Sequence, residues 1–139
     1  MDNFKDKIAV VTGGGTGMGR ELVRQLAKEN CHVAMCDVIE ENMQETLSIA
    51  KKESPDVKIT SHLCDVSNNK DVEEFKNQVL EDHDTESINL LFNNAGIGGG
   101  GSFVSGDISD WERTFAVCWY GVYYCSRAFM PALLKCDEG

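Results

Sequence analysis

No apolar run in this chain approaches the length of a membrane span, and the opening residues Met1 to Lys7 lack the apolar core of a secretion signal. Both absences make the cytoplasm the expected compartment. Positive charge is scarce too: 13 Lys and Arg stand against 23 Asp and Glu, a formal net charge of −10. With no basic patch to offset it, that balance argues against nucleic acid or an anionic membrane face as a partner. Acidic stretches such as Glu40-Glu41 and Glu81-Asp82-His83-Asp84 read as solvated helix faces and loops. The six cysteines, Cys31, Cys36, Cys64, Cys118, Cys125 and Cys136, contain no C-x-x-C pair, the spacing a zinc or redox site would use. They read as structural thiols, and His32 and His62, on alternate strand faces, are not expected to converge on a metal. No linker, repeat or low-complexity tract divides the 139 residues, which suffice for one domain, 1–139.

What the chain does have is alternation. Strands are expected at Ile8 to Thr12, Cys31 to Cys36, Val57 to Leu63 and Ile88 to Phe92, and helices at Met18 to Glu29, Glu40 to Glu53, Lys70 to Asp82 and Trp111 to Leu134. The strands read as continuous apolar runs, as burial on both faces requires. Strand and helix in turn predict an α/β architecture, a doubly wound parallel sheet of Rossmann type. Right-handed crossovers with a change of direction after the third strand give the order 3-2-1-4. The last helix is apolar or aromatic all round from Phe115 to Cys125, so it needs cover on several sides.

The chemistry is concentrated at the strand ends. Directly behind Ile8-Ala9-Val10-Val11 stands Thr12-Gly13-Gly14-Gly15-Thr16-Gly17-Met18-Gly19, in which Gly13, Gly17 and Gly19 have the spacing G-x-x-x-G-x-G. Missing Cβ atoms there allow a tight turn, a close approach to a pyrophosphate and close packing of the next helix, whose first N–H groups face the anion. A Gly13→Val change is expected to abolish binding by blocking that approach. Glycines alone would also serve an ordinary strand-to-helix turn. Asp37 follows the second strand, eighteen positions after Gly19, where a carboxylate accepts both hydroxyls of a ribose. It would repel a 2′-phosphate, and Val38 supplies no cation to welcome one, which favours NAD over NADP. The competing reading of Asp37 is a turn or a cap on the following helix.

Two further strings, Cys64-Asp65-Val66 after the third strand and Asn93-Asn94-Ala95-Gly96 after the fourth, complete a set of four in order. With them the chain resembles the cofactor-binding half of the short-chain dehydrogenase/reductase family over Lys7 to about Leu134. That resemblance implies an oxidoreductase that moves hydride between NAD and a small alcohol or carbonyl substrate. It implies a cofactor site made of Gly13, Gly15, Thr16, Gly17, Met18, Gly19, Asp37, Val38, Asp65, Val66, Asn94, Ala95, Gly96 and Val117. It also implies a homo-oligomer joined through the Trp111 to Leu134 helix, although further chain of the same molecule would cover that face equally well.

Departures from the family pattern matter as much. The pattern Y-x-x-x-K is absent; Tyr123 and Arg127 have its spacing but lie within the expected packing helix, and arginine is a poor replacement for the lysine. Cys118 stands where the family usually places an asparagine of its proton relay, and burial in the helix is expected to keep that thiol unreactive. The fourth strand would be an open apolar edge. The expectation is therefore a chain cut at Gly139 out of a longer enzyme. The alternative is a non-catalytic NAD-binding or subunit-pairing module.

Overall fold

In the computed structural model, which describes residues 3–139, apolar strands and amphipathic helices do alternate. Met1 and Asp2, the start of the segment searched for a secretion signal, lie outside the described residues. The order is β1 (Ile8–Thr12), α1 (Gly17–Lys28), β2 (His32–Asp37), α2 (Glu40–Glu53), β3 (Ile59–Leu63), α3 (Asn69–Asp82), β4 (Leu90–Phe92), α4 (Ile108–Phe115) and α5 (Gly121–Leu134). All strand pairs are parallel, in the order β3-β2-β1-β4. This is the doubly wound Rossmann-type sheet that the alternation predicts.

Side-chain alternation along the inner strands builds a core on each face. Ala9 and Val11 of β1, with Val33 and Met35 of β2, pack beneath Val23, Leu26 and Ala27 of α1 and Met43 and Ala50 of α2. Val10, Ala34 and Cys36 point the other way, onto Phe75 and Val79 of α3 and Cys125 and Phe129 of α5. Phe75 and Phe129 meet edge to face, with ring centroids 5.4 Å apart.

The outer strands depart from the expected two-sided burial. β3 reads Ile-Thr-Ser-His-Leu, with Thr60 and Ser61 half-buried and Leu63 exposed, because it is an edge strand. It is also shorter than expected: Val57 N–H turns back to the Ser54 carbonyl. β4 begins at Leu90 because the Ile88 amide donates to Ala132 of α5, outside the sheet ladder. All three of its residues are only half-buried, and among the described residues it pairs with β1 alone.

At that outer edge β3 carries a directed hydrogen-bond chain. His62 Nδ1 lies 3.2 Å from the Gln78 carbonyl oxygen Oε1, so Nδ1 is the protonated nitrogen and Nε2, 2.9 Å from Thr60 Oγ1, accepts. Thr60 in turn accepts from His83 Nε2 at 3.1 Å. Burial pushes both imidazoles below the usual range. His83, which also feels Lys58, His32 and His62 against the opposing Asp82, falls to about 4.

The expected Trp111 to Leu134 helix begins earlier and is not uniform. Asp107, in extended conformation, precedes a helix that starts at Ile108. Between α4 and α5 one π-helical turn, Ala116–Tyr120, widens the coil. Gly121 then sits against Val66: an added Cβ would come within 2.8 Å of the Val66 Cγ2 methyl. α5 buries Cys125, Ala128, Phe129 and Ala132, while Trp119, Tyr120, Tyr123 and Met130 on the opposite side stay exposed.

Candidate functional site

The carboxyl ends of the four parallel strands open onto a cleft of about 510 Å³. Its floor is the glycine-rich turn between β1 and α1. Gly13 (φ +67°) and Gly17 (φ +55°) adopt left-handed backbone that disfavours other residues. An added Cβ at Gly13 would come within 2.8 Å of Ala95 Cα. This corrects the cause expected for Gly13→Val: the turn and the Asn93-Asn94-Ala95-Gly96 segment leave no room, whatever binds. Gly17, by contrast, is exposed and has nothing within 4 Å of an added Cβ. It is the glycine that leaves a ligand space to approach. Thr16, just before α1, makes no side-chain cap, and the first turn holds no acidic residue, so its N–H groups remain open to an anion.

Asn94 ties the second loop to the first. Its Nδ2 donates to the carbonyls of Thr12 (3.0 Å) and Gly13 (3.2 Å). Thr12 Oγ1, buried, accepts from the N–H groups of Asn94 and Ala95, each at 3.0 Å. Asn93 Nδ2 donates to Ser126 Oγ of α5 at 3.1 Å, and its Oδ1 is buried with no partner among the described residues.

Asp37 stands at the end of β2 on the rim. Its Oδ2 accepts from Gly15 N–H at 3.0 Å and its Oδ1 from Ile39 N–H at 3.2 Å. The second bond is the turn that leads into α2, so the turn reading of Asp37 holds together with its position on the cleft. Each oxygen keeps a further lone pair. Val38 beside it is exposed and carries no charge. Asp65 folds into a local turn, accepting on Oδ1 from the N–H (2.9 Å) and hydroxyl (2.7 Å) of Ser67.

The structure brings Gly13, Thr16, Gly17, Met18, Gly19, Asp37, Val38, Asp65, Val66, Asn94, Ala95, Gly96 and Val117 to this cleft. Gly15 lies behind it: an added Cβ would meet Asp37 Oδ2 at 2.8 Å and Asn42 Cβ at 2.9 Å. It supports the carboxylate instead of lining the cavity. Asn42, Ser67 and Arg113 line the cleft and were not foreseen. Helical spacing held the signal for Arg113, four residues before Val117, and turn spacing held it for Ser67, two after Asp65.

Sequence comparison agrees with this geometry. The family model described as short chain dehydrogenase matches residues 7–139. The chain belongs to the short-chain dehydrogenase family. Meso-2,3-butanediol dehydrogenase of Serratia marcescens is 35% identical over 133 residues, 95% of this chain and 50% of the relative. A short-chain dehydrogenase/reductase from Burkholderia phymatum, solved in complex with NAD, superposes with a TM-score of 0.89 at 32% identity, covering 97% of this chain and 47% of that one. A metagenomic short-chain oxidoreductase solved with NADP gives 0.88 at 28% identity, over 98% of this chain and 60% of its own. The chain spans about half the length of the curated relatives it matches.

The remaining positions singled out in the sequence, Tyr123, Arg127 and Cys118, lie on α5 and the π-helical turn before it. Arg127 Nη1 donates to Tyr123 Oη at 3.0 Å, and both residues lie exposed on α5, off the cleft. Cys118 is exposed, which corrects the expectation of a thiol buried in its helix. It lies in the π-helical turn, one residue after the cleft-lining Val117, with Sγ 3.5 Å from the carbonyl of Ile97, which also lines the cleft. In the core, burial pushes the thiols up, Cys31 to about 11 and Cys125 to about 12.

Proposed function

We propose that this chain forms the dinucleotide-holding part of an oxidoreductase that uses NAD with a small alcohol or its carbonyl partner. The observation that carries the choice of NAD is Asp37, fixed at the rim by two backbone N–H groups with uncharged Val38 beside it. A carboxylate in that place binds ribose hydroxyls and repels a 2′-phosphate. The cradle suits the group: Gly17 leaves open space at the start of α1, and the first-turn N–H groups suit a pyrophosphate. Gly13, Thr16, Gly17, Met18 and Gly19 hold the phosphates. Asp37 and Val38 take the adenosine ribose, with Gly15 behind the carboxylate. Asp65, Val66 and Val117 enclose the base, and Asn94, Ala95 and Gly96 continue the floor. When bound, the nicotinamide supplies hydride transfer. The chain's own residues bind and orient it, and no catalytic role is assigned to any of them. The exposed aromatic side of α4 to α5 is proposed as the contact with a second copy, and the cytoplasm as the compartment.

The test is direct titration of NAD and NADP. Asp37→Ala is expected to weaken NAD about 10- to 100-fold, the value of hydrogen bonds to a charged group, and NADP far less. Equal weakening of both overturns the ribose role.

A further inference from the structure

The carbonyl of Gly15 is held with unusual thoroughness by two residues that never reach the cleft. From α1, Arg20 donates to it through Nε at 3.1 Å and Nη2 at 2.7 Å. From α2, the Thr46 hydroxyl lies 3.0 Å away. Thr46 is completely buried in mid-helix, and its oxygen also accepts from Arg20 Nε at 3.0 Å. Arg20 is itself anchored to Glu45 Oε2 at 2.6 Å.

Planarity gives this anchoring a consequence for the site. The peptide joining Gly15 to Thr16 is trans, so its C=O and N–H point in opposite directions. With the Gly15 carbonyl turned into the seam between α1 and α2, the Thr16 N–H faces away from that seam, and Thr16 lines the cleft. The Gly15 N–H, which belongs to the preceding peptide, donates to Asp37 Oδ2 at 3.0 Å. The Thr46 hydroxyl has two acceptors within reach, the Asn42 carbonyl one helical turn back at 3.1 Å and the Gly15 carbonyl at 3.0 Å, and only the second belongs to the glycine turn.

We propose that Arg20 and Thr46 are positioning residues of the cofactor site, which lock the Gly15 peptide so that the Asp37 carboxylate and the Thr16 N–H hold one fixed relation across the cleft. This rests on the NAD reading above. It adds that the choice between NAD and NADP depends on two residues that touch neither.

The experiment measures dissociation constants for NAD and NADP on the full natural chain carrying this sequence, with urea unfolding run alongside. Thr46→Val removes the hydroxyl at nearly constant volume, Thr46→Ser restores it, and Arg20→Met frees the carbonyl from the other side. Thr46→Val and Arg20→Met are each expected to weaken NAD about tenfold and to lower the preference for NAD over NADP, while Thr46→Ser stays within about twofold of wild type. In an Asp37→Ala background Thr46→Val should leave the preference unchanged, because the group it positions is gone. If Thr46→Val does not fold, Arg20→Met, on a side chain partly open to solvent, decides. Equal weakening of both cofactors, or a Thr46→Ser variant as impaired as Thr46→Val, overturns the positioning role. A wild-type protein with no preference for NAD overturns the Asp37 reading itself, a distinguishable result.

Discussion

An added Cβ at Gly19 would overlap the Gly13 carbonyl and crowd Asn94 Nδ2, whereas one at Gly17 would meet nothing. The two positions should therefore fail differently. Gly19→Ala forces the turn away from the Asn94 segment, so unfolding and cofactor loss should appear together in a urea titration. Gly17→Ala retains only the strain of left-handed backbone, about 1 kcal/mol, with a folded protein and a much larger loss of NAD affinity by calorimetry. A Gly17→Ala variant that binds like wild type would remove the pyrophosphate from that turn. Individual roles of this kind were only partly legible in the sequence. The glycine spacing showed which positions matter, but Gly13 and Gly15 serve contacts with Ala95 and Asp37 that are remote along the chain and invisible to a local pattern.

At the scale of elements, β3 and α3 are joined by polar groups where the other strands use hydrocarbon. His83, at about 4, stays neutral in the folded chain down to that value, and burial lowers His62 in the same direction, while the unfolded chain takes up protons near 6.5. Between those values the unfolded state binds more protons, so stability is full above pH 6.5 and falls as pH drops toward 4. The urea midpoint should decline through that window, before the ion-paired carboxylates Glu53, Glu86 and Glu138 begin to protonate, and His83→Gln should flatten the decline. The strand-helix alternation made the four strands and the first three helices legible, and the sheet order followed from right-handed crossovers with a change of direction after the third strand. The ends were not: β4 loses Ile88 to a bond with Ala132, and the π-helical turn depends on which carbonyls the amides of 116–120 choose, which side-chain periodicity does not record.

At the scale of the molecule, the exposed aromatic side of α4 to α5, with Phe115, Trp119, Tyr120 and Tyr123, departs from an ordinary polar surface. Trp119, 67% exposed, lies in the middle of it, away from the cleft. Trp119→Asp should therefore leave NAD affinity intact and reduce the sedimenting mass if a second copy covers that side; an unchanged mass would remove Trp119 from any such contact. The need for cover was legible in a helix apolar all round, and its occupant was not, because a single sequence carries no record of what lies against it. The thiols offer a last consequence. Cys31, Cys36, Cys64 and Cys125 are buried and Cys136 is half-buried, which leaves exposed Cys118, beside the cleft-lining Val117 and Ile97, as the natural point of entry for a maleimide dye. Its labelling rate should therefore fall on NAD addition if the occupied cleft extends to the Ile97 carbonyl, and an unchanged rate would place the thiol outside the occupied space.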